Sequence, residues 1–155
     1  MYTRQDRPIQ LWGALGALVA AYGNYVEYQK HRNAAYQAVC DSSTYSCSRV
    51  LSSTSSHLVS HLGLVDSNSL LDISNSALGL MYYTLCIIAP YTGSIRLSHE
   101  VYLISSILAE VLSAYLAYIL VFQLQEFCMV CVSSYVVNSA LLWLFTTRQA
   151  HLKKA

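Results

Sequence analysis

The chain has 155 residues, the length of one domain. Apolar residues make up 55% of it and charged residues only 11%, with a mean hydropathy of +0.39; that is about half the charge of an ordinary soluble domain. The net charge is +1 with no Lys/Arg cluster, so neither a nucleic-acid surface nor a phosphate groove is indicated, and the composition is that of a membrane protein.

A helix that crosses a bilayer needs roughly 17–25 mostly apolar residues. The first predicted span runs from about Ile9 to Tyr28 and is rich in Leu, Ala and Gly. Arg4 and Arg7 precede it, but the run exceeds the roughly 7–15 apolar residues of a signal-peptide core, so it reads as a span. A long loop, 29–74, follows and contains Cys40 and Cys47. Within it, Leu58, Leu62 and Val65 at helical spacing predict a short amphipathic helix over 56–65, lying on the membrane surface. The second span covers about 75–91 and ends at Pro90-Tyr91-Thr92-Gly93, a stop and turn. The third covers about 101–122 and the fourth about 127–145, with short connections that predict antiparallel neighbours for the last three spans. Trp12, Trp143 and several tyrosines near the span ends suit interfacial anchors. The expected fold is all-α: one integral membrane domain over 1–155, a four-helix bundle with a long loop between its first two helices.

Arg4, Arg7, Arg96, Arg148, Lys153 and Lys154 fall on one side of such a topology, and Lys30, Arg32 and Arg49 on the other. This bias predicts cytosolic termini and a lumenal long loop. The start of the fourth span is then lumenal as well, so Cys40, Cys47, Cys128 and Cys131 share the compartment that permits disulfides. Cys86, inside an apolar run, reads as a small packing residue.

Phe127-Cys128-Met129-Val130-Cys131 opens an apolar run instead of sitting in a polar loop. A vicinal dithiol there suits two-electron exchange with a molecule that lives in the bilayer. Cys128, Cys131, Tyr135, Asn138 and Leu142 follow at steps of three, four, three and four, which places them on one helical stripe. Polar groups in a span turn toward the protein interior, so this stripe should line a cavity. Asn138 taken alone reads as helix-packing polar glue. Asn75, Gly79, Tyr82 and Cys86 form a second stripe. Asn75 at its start is an N-cap on its own. Beside Tyr135, it supplies a second donor suited to the two oxygens of a quinone.

The Cys40/Cys47 pair reads either as a structural staple or as a shuttle dithiol that exchanges with Cys128 through a mixed disulfide. A zinc site built from both pairs is disfavoured by the wide Cys40/Cys47 spacing, and no metal is expected. His57 and His61 have the spacing of metal ligands but read as solvated. Glu110, halfway along the third span, is either functional or held neutral by a hydroxyl partner.

Taken together the residues resemble the vitamin K epoxide reductase family in its single-domain animal form. The likeness rests on Cys40-Asp41, Ser46-Cys47-Ser48-Arg49-Val50, Asn75-Ser76, Tyr83-Thr84-Leu85, Tyr115-Leu116-Ala117 and Phe127-Cys128-Met129-Val130-Cys131 with Tyr135, and spans roughly Val39 to Trp143. The resemblance implies an endoplasmic reticulum enzyme that reduces vitamin K 2,3-epoxide to the quinone and on to the hydroquinone, with a dithiol as reductant and no tightly bound cofactor. It implies that Cys131 attacks the substrate and Cys128 resolves the adduct as a disulfide. Cys47 then exchanges with Cys128, and Cys40 receives electrons from a lumenal thioredoxin-like protein. It further implies that Asn75 and Tyr135 hold the naphthoquinone oxygens, and that coumarin anticoagulants are a ligand class. The chain departs from the animal pattern in the loop. Its cysteine pair is one residue closer, Thr54-Ser55-Ser56-His57-Leu58-Val59 replaces a Trp-Gly-Arg-Gly-Phe stretch, and Leu51 stands where an aromatic is usual. These positions belong to the lid over the family's pocket. The C-terminal Lys153-Lys154-Ala155 resembles a dilysine retrieval signal but is one residue short.

Two rival functions use the same sequence. A quinone-linked disulfide generator would run the same residues in reverse to oxidise lumenal proteins, since redox potentials alone set direction. A four-span adhesion protein with a loop stapled by Cys40 and Cys47 would give Cys128 and Cys131 no role.

Overall fold

The computed structural model describes residues 6–42, 46–57, 60, 63, 72–88, 91 and 95–152, and all regular structure among them is helical. Helix α1, Asp6–Arg32, has an acidic residue in its first turn and Lys30, His31 and Arg32 in its last, which complements the helix dipole. One face is small. Gly13, Gly16, Ala20 and Gly23 are buried on it together with Ile9 and Val26, while Leu11, Leu15 and Leu18 point outward. The small face lets α3 (Asn75–Ile88) approach closely. At Gly16 the approach is closest: a Cβ there would fall 2.6 Å from the ring of Tyr83.

Between these helices lie a short helix, α2 (Cys47–Leu51), and a 3₁₀ turn over Thr54–Ser56. Ser74 caps α3, its hydroxyl accepting the Ala77 N–H at 3.3 Å. Helix α4, Ile95–Tyr118, runs on into a π turn over Ile119–Leu124, and α5 spans Met129–Leu152. Helix α1 packs against both α3 and α5, and α4 packs against α5. Arg148 near the end of α5 reaches the fully buried Asp6 at the start of α1, at 3.1 Å.

The expected antiparallel packing of the last three spans holds for α4 with α5. Helices α3 and α4 barely touch, because a cavity lies between them, bounded by Gly79 and Tyr82 on one side and Ser105, Ala109 and Leu112 on the other.

Among the described residues, two helices are long and apolar enough to cross a membrane, Glu100–Leu124 and Met129–Arg148. They match the third and fourth predicted spans. Their outer faces carry Ile104, Val111, Phe122, Val136 and Trp143, a lipid-compatible surface. The other two predicted spans are helices of a different kind. Helix α3 is apolar but only 14 residues long as described. Helix α1 has the length, at 27 residues, but Gln10, Asn24 and Glu27 and its glycines lower its hydropathy. Pro90, Thr92 and Gly93 of the expected turn lie outside the described residues, as does most of the amphipathic helix expected over 56–65.

Adding a methyl group at Gly16 forces the Tyr83 ring to shift. Gly16→Ala should therefore destabilise the detergent-solubilised protein by about 1–3 kcal/mol. Gly79→Ala should be neutral or stabilising, since its Cβ would meet nothing closer than 3.6 Å. Thermal melts followed by helical circular dichroism compare the two.

Candidate active site

The two cysteine pairs approach each other at one end of the helices. The π turn closes with Gln125 in the left-handed region, φ 51°, its N–H bonded to Leu120 O. The chain then reverses into Phe127, whose carbonyl accepts the Ser46 N–H at 3.1 Å. Arg49 on α2 pairs with Glu126 beside it. The loop that carries Cys47 is thus tied to the residues immediately before the Cys-x-x-C.

Cys128 caps α5. Its carbonyl accepts the Val132 N–H at 3.0 Å, and its sulfur accepts the Cys131 N–H at 3.3 Å. A helix N-terminus is where backbone donors favour an anionic sulfur. The Cys131 Sγ lies 2.7 Å from the Cys128 Sγ, both thiols being free. Cys40 and Cys47 form a disulfide with their Cα atoms 6.0 Å apart. Cys47 and Cys128, both fully buried, belong to one apolar cluster with Val26, Val50, Leu51 and Leu120. Four cysteines that are scattered in sequence therefore converge, as the stripe and the orientation argument expected.

Asp41 organises the loop pair. Its carboxylate accepts the Ala38 N–H and the Ser48 N–H, each at 2.9 Å, and the Ser48 hydroxyl. Burial works to raise the Asp41 carboxyl, but the bonds from the Ser48 hydroxyl and from the Ser48, Ala38 and Cys47 backbone outweigh it and hold it below the ordinary carboxylate range. Cys40, Asp41 and Cys47 have potential ligand atoms within 4.8 Å of one another. With the sulfurs joined and the carboxylate already engaged, this trio does not offer a metal an open donor set.

Between α3, α4 and α5 lies a cavity of about 450 Å³, a volume suited to a small organic ligand. Cys131, Tyr135 and Asn138 line it from α5, and Asn75, Gly79 and Tyr82 from α3. Leu51, Ser53, Ser55 and Ser56 roof it from the loop. Of the predicted stripes, Cys128 and Leu142 do not face the cavity, and Cys86 is fully buried where α3 meets Gly13 of α1. The predicted site residues thus divide: Cys131, Tyr135 and Asn75 at the cavity, and Cys40, Cys47 and Cys128 at the loop junction.

With Ser74 capping α3, the Asn75 side chain does other work: its amide donates to Ser55 O at 2.8 Å, joining the cavity wall to the roof. Asn138 is the polar glue that its position suggested. It accepts the Tyr83 hydroxyl at 2.9 Å and donates to the Ser113 hydroxyl at 2.8 Å, linking α3, α5 and α4 in a buried network. Sequence reasoning did not pair Tyr83 and Ser113 with it, and at a separation of 55 residues from Tyr83 to Asn138 no spacing rule would. Glu110 accepts the Ser139 hydroxyl at 2.8 Å across α4 and α5. His57, expected to be solvated, instead lies between two carboxylates, Glu27 at 3.1 Å and Asp72 at 3.2 Å. Two acidic groups brought together from 30 residues upstream and 15 downstream create a site that the local spacing with His61 concealed; His61 itself lies outside the described residues.

The vitamin K epoxide reductase family model matches residues 7–146. Vitamin K epoxide reductase complex subunit 1 of Rattus norvegicus is 36% identical over 133 residues, covering 83% of this chain and 81% of that protein. The Mus musculus protein of the same name is 35% identical over the same shares. The chain belongs to the vitamin K epoxide reductase family, a family of membrane oxidoreductases.

Asp41→Ala should remove two or three charge-assisted bonds and cost the loop about 1.5–3 kcal/mol, read as lost hydrogen-exchange protection over residues 38–50. In the unmutated protein the folded carboxyl is depressed, so its contribution is full above the unfolded value of about 3.9. Protection over these residues should persist through that value and fall only as pH drops through the lower, folded one.

Proposed function

We propose that this protein reduces vitamin K 2,3-epoxide to the quinone, and the quinone on to the hydroquinone, in the endoplasmic reticulum membrane. In this reading the chain is a single four-span domain, a four-helix bundle with cytosolic termini and a lumenal loop over 29–74. The single observation that carries it is the position of Cys131: it faces the cavity one helical turn from Tyr135, while its partner Cys128 is buried beside the loop cysteines.

The chemistry balances with the residues at hand. Cys131 as thiolate attacks the substrate, and Cys128 closes the Cys128–Cys131 disulfide. The dithiol gives up two electrons and two protons, and the epoxide oxygen leaves as water. A quinone takes the same two electrons and two protons to become the hydroquinone. Cys47 then attacks Cys128 through a mixed disulfide, restoring both thiols and leaving the Cys40–Cys47 disulfide. A lumenal thioredoxin-like protein reduces that bond through Cys40.

Tyr135 and Asn75 orient the naphthoquinone through its oxygens, and coumarin anticoagulants compete for the same cavity. Support for Tyr135 is that its hydroxyl has no hydrogen-bond partner among the described residues, although the residue lines an otherwise apolar space. The same relay run in reverse would oxidise lumenal proteins at the expense of quinone; which couple turns over separates the two directions.

Purified protein supplied with dithiothreitol and vitamin K 2,3-epoxide should form quinone. Cys131→Ala should lose activity by at least about a thousandfold, because no other thiol faces the cavity. Cys40→Ala should retain it with dithiothreitol but fail with a protein dithiol donor. Full turnover by Cys131→Ala would overturn the mechanism. Tyr135→Phe should raise KM about tenfold, the worth of one hydrogen bond in an apolar site, without lowering the thermal midpoint.

A further inference from the structure

The roof of the cavity is held by a contact that the dithiol chemistry does not use. His57 follows directly on Ser55 and Ser56, which line the cavity. Its Nε2 lies 3.1 Å from Glu27 Oε1, near the end of α1. Its Nδ1 lies 3.2 Å from Asp72 Oδ2 and 3.3 Å from Asp72 O, three residues before Asn75. The carboxylates are enclosed, with side-chain exposures of 11% for Glu27 and 7% for Asp72. Both ring nitrogens thus face acceptor oxygens, and the imidazole bridges the two side chains. An imidazole between two enclosed carboxylates also lessens their mutual repulsion and desolvation.

These contacts join three separate parts of the chain. Glu27 belongs to the rigid α1, His57 to the roof, and Asp72 to the segment that leads into α3. A second tie runs parallel, from the Asn75 amide to Ser55 O at 2.8 Å. The roof is otherwise short: the Ser53 hydroxyl bonds to Val50 O of α2 and the Ser56 hydroxyl to Ser53 O, so neither anchors it to the long helices.

We propose that Glu27, His57 and Asp72 form a latch that seats the roof over the cavity, with His57 as a positioning residue for substrate binding. Released, the roof segment 53–56 swings away from Asn75, Cys131 becomes accessible to water, and ligand is held less tightly. The latch bears on substrate through the function proposed above, but its mechanical consequence stands independently of which ligand binds.

Two measurements test it on the full-length protein in detergent. The first is alkylation of Cys131 by a water-soluble maleimide after reduction, read at that cysteine by peptide mass spectrometry. Glu27→Gln, which removes one arm, should label about tenfold faster than the unmutated protein, the loss of one charge-assisted bond, and His57→Gln, which removes both, at least as fast, with helical content and thermal midpoint retained. His57→Arg, which offers N–H donors toward both carboxylates, should restore slow labelling. The second is turnover of vitamin K 2,3-epoxide. His57→Gln should raise KM about tenfold while kcat stays within about twofold. Unchanged Cys131 labelling in both Gln variants overturns the latch. If the unmutated protein turns nothing over while labelling still responds to His57, the latch stands and the proposed substrate falls. A variant that fails to fold is replaced by Asp72→Asn, which like Glu27→Gln removes one arm and should also label about tenfold faster; labelling equal to the unmutated protein would again overturn the proposal.

Discussion

The position at which α5 begins governs the dithiol. The π turn returns the chain at Gln125, a non-glycine residue at φ 51°. Such a residue is tolerated where its surroundings over-determine it. Here the Leu120 carbonyl holds the Gln125 and Glu126 amides from behind, and Ser46 holds Phe127 from the loop. Cys128 is thereby fixed as the cap. A start one residue later would turn every following side chain by about 100°. Cys131 and Tyr135 would leave the cavity, and Asn138 would lose Tyr83 and Ser113.

From that fixed start, one helical turn separates two environments. Cys128 belongs to the buried cluster with Cys47, Leu51 and Leu120, whereas Cys131 opens onto the space between α3 and α4. Thiol exchange needs close approach of the reacting sulfurs, and a ligand in the cavity needs access to one sulfur only. A Cys-x-x-C at a helix start meets both demands: its first sulfur is at the cap and its second a turn further in, while the two remain 2.7 Å apart. Ser46 and Arg49 bind the residues just before Cys128, so the loop that carries the disulfide is tied to the same backbone that positions the dithiol.

Local periodicity made part of this legible. Cys131, Tyr135 and Asn138 fall on one stripe by spacing alone, as do Asn75, Gly79 and Tyr82, and the structure turns both stripes toward one cavity. The third and fourth spans were legible because each is a long uninterrupted apolar run. What spacing conceals is who stands opposite. Short connections suggested that α3 and α4 pack together, yet the small face of α1 draws α3 toward itself. Gly16 admits the Tyr83 ring where a Cβ would fall at 2.6 Å, and Gly13 and Gly23 admit α3 where a Cβ would fall 3.1 Å and 2.8 Å from its side chains, and a gap opens on the far side of α3. The pairings of Asn138 with Tyr83 and of His57 with Glu27 cross 55 and 30 residues. Each depends on that three-dimensional arrangement and on no local rule.

The cavity's polarity follows from how its hydroxyls are satisfied. Ser105, Ser113 and Ser134 bond to the carbonyls of Tyr102, Ala109 and Val130 on their own helices, and Ser53 and Ser56 do the same within the roof. Serine in an apolar helix commonly engages its own backbone in this way. A wall that contains many serines by composition therefore presents mostly methylene and ring surface to a ligand. Asn138 is engaged between Tyr83 and Ser113, and one donor of Asn75 is directed to the roof. The cavity also receives the rings of Tyr135, one turn beyond Cys131, and of Tyr82, whose buried hydroxyl has no hydrogen-bond partner among the described residues. In an apolar space a few such donors discriminate strongly, because a ligand placed the other way round leaves a polar oxygen without a partner. With few free polar groups on its walls, the cavity's enclosure depends on Leu51, Ser53, Ser55 and Ser56, and the contacts that seat those residues weigh accordingly.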